Sequence, residues 1–249
     1  MGNKKFDHIS LVIPCYNESG RVGLLYSGIK EFMAVWPGKM EIIIVNDGSR
    51  DNTLQLLQEH ETYRSNTDLI EIFSQENTGK GGALKHGVLK AKGDFILTLD
   101  ADMAAYPAEL LKWVDRLEKG FEQNVIYIGS REHKESEIIN ESFKRKLAGN
   151  IFNLIVRSVT PLKVKDSQCG FKLYSSKVAT TLFTELETMG WAHDVELLYR
   201  AHVQGVRIME MPLKWRAVEG SKIRLLKDSM TMLQEILKIS GKLKRTNKS

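Results

Sequence analysis

Five short runs, nearly continuous in Ile, Val and Leu, recur through the first half of the chain, and their alternation with amphipathic segments constrains the fold more than any other feature. The runs are 9–14 (ISLVIP), 41–46 (EIIIVN), 69–73 (LIEIF), 94–99 (DFILTL) and 125–129 (VIYIG). Helical patterns lie between them near 20–35, 51–62, 81–91 and 107–119. A strand that is apolar on both faces has to be covered on both faces. Strand and helix in alternation therefore predict an α/β chain: a mostly parallel, doubly wound sheet with helices on both faces.

The second half is less regular. A helical pattern near 141–158 precedes a mixed segment around CGFKLYS, a helix near 190–204 and a short strand VRIMEM. From about 223 to 240 the chain is amphipathic, with Leu226, Met230, Leu233 and Leu237 at three- and four-residue spacing. With no repeat and no Pro/Gly-rich linker, 249 residues read as one domain over 1–220 followed by a basic amphipathic helix and tail over 221–249.

Charge sharpens that division. The chain carries a net +5, yet residues 221–249 hold eight basic side chains against Asp228 and Glu235, a net +6, which leaves the preceding body at −1. A basic helix of this kind suits an anionic membrane surface or packs on the body with its charges in water. No nucleic-acid-binding module accompanies it, so nucleic acid is not an expected partner. Cys15 and Cys169 are too few for a disulfide framework; one bridge or two thiols remain open, and thiols suit a reducing compartment. The N-terminus lacks a secretion signal, Phe6 stands where a myristoylation signal needs Ser or Thr, and no run is long enough to span a bilayer.

In an open parallel sheet, ligands bind beyond the carboxyl ends of the strands. Here those ends read Pro14-Cys15-Tyr16-Asn17-Glu18, Asn46-Asp47-Gly48-Ser49, Asp100-Ala101-Asp102 and Gly129-Ser130-Arg131. Asn-Asp-Gly-Ser alone is equally a turn with a helix cap. The stretch from Asn77 to Gly82 is glycine-rich but matches neither phosphate-loop nor dinucleotide spacing. Asp100 and Asp102 say more. Two apart on an extended segment they point to one side, where two carboxylates favour a shared hard cation, Mg²⁺ or Mn²⁺, whose other oxygens come from a phosphorylated substrate and water.

Taken together, the motifs resemble those of the inverting family-2 glycosyltransferases of the GT-A fold, a Rossmann-like architecture. The resemblance runs from Pro-x-Tyr-Asn-Glu at 14–18 through Asp-Gly-Ser at 47–49, Asn-x-Gly-Lys-Gly-x-Ala from 77, Asp-Ala-Asp at 100–102 and Gly-Ser-Arg at 129–131. It continues over the segments 166–172, 191–198 and 220–222. Within that family the chain looks most like the dolichyl- or polyprenyl-phosphate sugar synthases, and the segments Gln-Cys-Gly-Phe-Lys and Asp-Val-Glu-Leu-Leu look like the glucosyl branch. Ala104, where mannosyl relatives often carry Gln, points away from the mannose branch.

The resemblance implies roles. Pro14, Tyr16, Glu18 and Asp47 would hold the nucleotide, Asp47 near base and ribose. Asp100 would sit by ribose or metal and Asp102 would bind the metal. Lys80, Arg131, Arg216 and Lys222 are candidates for the donor diphosphate and the acceptor phosphate, with Lys172 counted beside them. Asp166 matches a position proposed as a base; with a phosphate acceptor it is expected to orient groups instead. Asp194 and Glu196 are second choices, and Glu196 is expected to support the fold. His193 reads as a packed histidine, and Trp191 as a sugar platform or a core residue. The implied reaction moves glucose from UDP-glucose to dolichyl or polyprenyl phosphate, with inversion, at the cytoplasmic face of a membrane, with a membrane subunit as a candidate partner. The alternatives are a GDP-mannose donor, a soluble enzyme acting on a saccharide hydroxyl, and a binding subunit without turnover.

Overall fold

The structure, a computed structural model, describes residues 8–218 and 225–246. Lys222 of the expected site lies outside the described residues, as do the side chains of Leu226 and Met230. The five expected strands form as β1 (Ile9–Cys15), β2 (Met40–Asp47), β3 (Ile70–Gln75), β4 (Phe95–Thr98) and β5 (Val125–Gly129). Between them run α1 (Val22–Val35), α2 (Thr53–Glu59), α3 (Glu61–Arg64), α4 (Lys80–Val88) and α5 (Glu109–Arg116). The pattern at 51–62 divides because His60 adopts an extended conformation, ending α2 and capping α3 through its side chain.

Beyond β5 come β6 (Glu137–Ile139), α6 (Phe143–Val159), β7 (Lys172–Ser175), α7 (Ser176–Glu185), α8 (His193–Val203), β8 (Arg207–Met211), β9 (Lys214–Arg216) and α9 (Leu225–Thr246). The sequence reading missed β6, β7, β9 and α7. Three of them are strands of three or four residues, too short to show a period.

The main sheet has the order β3-β2-β1-β4-β7-β5-β8, and β6 pairs with β9 apart from it. All pairings in the main sheet are parallel except those of β7, which runs antiparallel between β4 and β5. Alternate residues feed two cores. Leu11, Ile13, Ile42 and Ile44 face α1 and α5, whereas Val12, Ile43 and Val45 face α4, and that second core extends through α7 and α8 to Met232 and Ile236 of α9. Burial on both faces is the reason the strand runs read as continuously apolar.

Helix α9 lies against α6 and α8. Among its described side chains Met232, Ile236 and Ser240 are buried, with the Ser240 hydroxyl donating to Val159 O at 2.7 Å and Lys242 paired to Glu187 at 2.5 Å. Of the expected stripe, Leu233 is half-buried and Leu237 half exposed, so the packed row among the described side chains runs one residue away from it.

Candidate active site

The strand order reverses between β1 and β4, and in an open sheet the region beyond the carboxyl ends at such a switch point is where ligands bind. Asp100 and Asp102 stand there, but not on an extended segment. Strand β4 stops at Thr98, and Asp100 to Met103 form a tight turn closed by the Met103 N–H donating to Asp100 O at 3.2 Å. Met103 takes a positive φ of 52°, a strained conformation for a side chain of its size, and is held by burial against Gly28. The turn, rather than strand alternation, brings the two carboxylates together.

The neighbouring strand leaves room for them. In the β4/β7 pairing Thr98 lies opposite Lys172, and continuing that antiparallel register sets Asp100 opposite Gly170. A Cβ on Gly170 would lie 2.6 Å from Asp100 Oδ2. The Thr98 hydroxyl donates to Gly170 O at 3.1 Å and fixes the approach. Gly170 is thus a site residue by virtue of having no side chain, a role its motif membership alone did not reveal.

Lys80, the first residue of α4, reaches across to Asp100 at 2.6 Å and lies over the Trp191 ring at 5.7 Å. Burial works against its charge, but Asp100, Asp194 and Asp102 outweigh that and hold the ammonium above its usual range. Asp102 is pushed the other way: burial first, then the Asp100 charge, raise its carboxyl, while the Ala104 N–H donates to Oδ1 at 3.0 Å. The two crowded carboxylates form a donor set that suits a hard divalent cation. No group of three or more His, Cys, Asp or Glu able to hold a metal occurs among the described residues, so the remaining oxygens of such a cation would come from substrate and water.

The glycine-rich turn serves packing rather than phosphate. Met189 O accepts from Gly81 N at 2.7 Å and from Gly82 N at 3.3 Å, occupying amides of the first turn of α4. Gly79, at φ 97°, would place a Cβ 2.6 Å from the same carbonyl. Asp47 is 2% exposed and receives Thr78 N at 2.9 Å, Gly79 N at 2.9 Å and Gln75 Nε2 at 2.8 Å. In this structure its carboxylate organises the loop that carries Lys80. Pro14, Tyr16 and Glu18 line the first strand end, half-buried, with Glu18 paired to Arg21 at 2.6 Å and its N–H donating to Thr53 Oγ1 at 2.7 Å.

Arg131 and Asp166 form a closed unit. Arg131 Nε and Nη2 donate to the two carboxylate oxygens at 2.7 and 2.8 Å, its backbone N–H adds a third bond at 3.0 Å, and the guanidinium lies over Trp215 at 5.4 Å. Burial would raise the Asp166 carboxyl, but the Arg131 charge and hydrogen bonds keep it below the ordinary value. Arg216 is exposed on β9, its N–H bonded to Ala104 O at 2.7 Å just past the Asp100 turn.

Lys172, counted with the phosphate candidates by sequence, is fully buried; its ammonium donates to Cys169 O and to Asp194 Oδ1, the latter at 2.6 Å. It cannot reach a ligand. Burial opposes the charge on Asp194, yet His193, Lys172 and Lys80 hold its carboxyl down at about 2. His193 is packed, as expected, with Nδ1 on Gly190 O at 2.8 Å and burial keeping it neutral. Glu196 supports the fold, accepting from Thr188 N at 2.7 Å, Glu187 N at 3.1 Å and Arg200 Nε at 2.7 Å. Both cysteines are free and buried, and burial pushes the Cys169 thiol up to about 12, which leaves it unreactive.

Residues 10–183 match the sequence model of a family described as Glycosyl transferase family 2. A dolichyl-phosphate beta-glucosyltransferase of Saccharomyces cerevisiae is 35% identical over 244 residues, covering 92% of this chain and 73% of that protein. The enzyme of the same description from Homo sapiens is 33% identical over 229 residues, covering 86% and 69%. Among solved structures, glucosyl-3-phosphoglycerate synthase from Mycobacterium tuberculosis, in complex with Mn²⁺, UDP-glucose and phosphoglyceric acid, superposes with a TM-score of 0.68 at 18% identity. That match covers 94% of this chain and 80% of the other.

Proposed function

Since this chain belongs to glycosyl transferase family 2, we propose that it moves glucose from UDP-glucose to a dolichyl or related polyprenyl phosphate, inverting the anomeric centre, with a divalent cation bound at Asp100 and Asp102. The observation that carries this reading is the carboxylate pair in the β4 turn, faced by a glycine and by Lys80. Relatives at 30–35% identity are named for transfer to dolichyl phosphate, and the synthase of similar fold was solved with Mn²⁺ and UDP-glucose.

The chemistry follows from charge. Displacing a nucleoside diphosphate builds negative charge on the leaving oxygen; a bound Mg²⁺ or Mn²⁺ would supply Lewis-acid stabilisation of that charge. Lys80 adds a cation on the same side. Asp100 and Asp102 would hold the ion, Tyr16, Pro14 and Glu18 would bound the nucleotide, and Arg216 and Lys222 are the cations assigned to the acceptor phosphate. Asp166 and Asp194 are each bound to a buried or half-buried cation and kept strongly acidic, which makes both poor proton acceptors. A hydroxyl nucleophile needs a base near neutrality; a phosphate is already an anion. Asp166 therefore orients Arg131, and a single in-line attack by the phosphate gives a β-linked product from an α-linked donor.

The acceptor's lipid tail directs attention to α6. Phe143, Leu147, Ile151 and Leu154 form an exposed apolar row, 79, 49, 51 and 61% accessible, on the face opposite the buried Phe152 and Val156. Lys146 and Arg157 on α6 are exposed as well, as is Lys238 on α9. No helix among the described residues is long and apolar enough to cross a membrane. This row and the basic tail over 221–249 form the surface we assign to an anionic membrane face, with 1–220 as the catalytic body.

The test is a radiolabelled transfer assay offering UDP-glucose, GDP-mannose and other nucleotide sugars against a short polyprenyl phosphate, with and without a chelator. Label passing from UDP-glucose to the lipid phosphate, and ceasing on chelation, is the expected result. Transfer only from GDP-mannose, or only to a water-soluble hydroxyl acceptor, overturns the reading.

A further inference from the structure

Lys172 sits within the sheet with no exposed surface, a location that is strongly unfavourable for an ammonium unless it is paired. It projects from β7 on the face shared with Tyr174, toward α8, where Asp194 Oδ1 accepts from it at 2.6 Å. Asp194 is itself buried in the first turn of α8, which packs on the first turn of α4: a Cβ on Gly81, next to Lys80, would lie 2.7 Å from the Cβ of His193, next to Asp194. Lys80 in turn bonds to Asp100 at 2.6 Å, and the nearby Asp194 charge favours its ammonium. The four groups make an alternating series, Lys172, Asp194, Lys80, Asp100, running from the interior to the partly exposed Asp100. Its second contact, to Cys169 O, ties Lys172 to the residue before Gly170, the glycine that faces Asp100.

We infer that Lys172 is a positioning residue for the donor site: it neutralises Asp194, so that the charge of Lys80 is left for the donor's diphosphate. Without Lys172, Lys80 would answer to three carboxylates, Asp100, Asp102 and Asp194, and the region that must accept a diphosphate would be more negative by one charge. Opposite charges close together below the protein surface are weakly screened, so this imbalance reaches the ligand. The inference rests on the reading of the donor as a nucleoside diphosphate sugar.

Calorimetric titration of UDP with Mn²⁺ into the full chain tests it. Lys172→Met is expected to weaken UDP binding tenfold or more, and the charge-balanced pair Lys172→Met with Asp194→Asn to return it to within threefold of wild type. A purely structural role would leave the pair as weak as the single variant, because both lose the Cys169 contact. Binding by Lys172→Met within threefold of wild type, or a pair as weak as the single, overturns the inference. If Lys172→Met does not fold, Asp194→Asn decides: it should bind UDP no more weakly than wild type, and a loss beyond threefold overturns the inference. If wild-type protein binds no UDP with Mn²⁺, the reading of the donor fails and takes the inference with it; tight wild-type binding with an unaffected Lys172→Met refutes the inference alone.

Discussion

Replacing Gly170 with alanine should separate catalysis from stability. The added Cβ would lie 2.6 Å from Asp100 Oδ2 and 2.7 Å from its Cγ and Oδ1, where ordinary contact begins at 3.4 Å. The carboxylate must retreat by roughly 0.8 Å. Gly170 does not use a left-handed backbone, so alanine brings no φ strain there. The Asp100 side chain is 39% exposed and can swing outward, which keeps the packing penalty near the lower end of the roughly 1–3 kcal/mol usual for overpacking. Loss of glycine's freedom in the unfolded chain offsets about 0.4–1 kcal/mol of that. The net change is about 1 kcal/mol or less, or a Tm shift of about 2–4 °C for a chain of this size. Activity should respond far more, since misplacing a group at the reacting centre by about 1 Å costs on the order of 100-fold. The assay is kcat/KM for glucosyl transfer across a Mn²⁺ titration, beside a thermal melt. A folded variant with kcat/KM within threefold of wild type would refute the placement of Asp100 at the reacting centre.

Asp102→Asn should reduce transfer at least 100-fold while the melt stays within a few degrees, because one of the two candidate cation ligands is lost; undiminished turnover in chelator-treated buffer would remove the cation from the mechanism. Ile151→Glu with Leu154→Glu, both on the exposed row of α6, should cut co-sedimentation with anionic liposomes severalfold without shifting Tm, and equal sedimentation would exclude that face from the membrane contact. For pH, His193 is held neutral by burial, below its ordinary 6.5. The unfolded chain therefore takes up a proton near pH 6.5 that the folded chain refuses, and stability should decline as pH falls from 6.5 toward the lower folded value. Asp194 contributes in a separate window, since its advantage is complete above about pH 4 and fades only toward pH 2. Urea unfolding at pH 5.5 and 7.5 should show the decline, and His193→Gln should flatten it; an unchanged slope would mean that His193 does not cause it.

The sequence determined the parallel sheet, because strands buried on both faces have to be apolar throughout, and it marked the polar strand ends where β1, β2, β4 and β5 deliver Tyr16, Asp47, Asp100 and Arg131. It also singled out Asp100 and Asp102 as candidate cation ligands from residue type and nearness, although the extended segment it expected there is a turn. Three things were decided by the tertiary structure. Strand β7 enters the sheet antiparallel through only four residues, and its register, not any local pattern, sets Gly170 against Asp100. Lys172 looked like a phosphate ligand because a lysine in a motif shows its charge but not its burial; only the packing of α8 on β7 turns it inward to Asp194. The glycines at 79, 81 and 82, which match no phosphate-loop spacing, admit the carbonyl of Met189, more than a hundred residues away. Local periodicity records which residues must be buried; which partner fills the space beside them is a long-range fact that no window of the sequence contains.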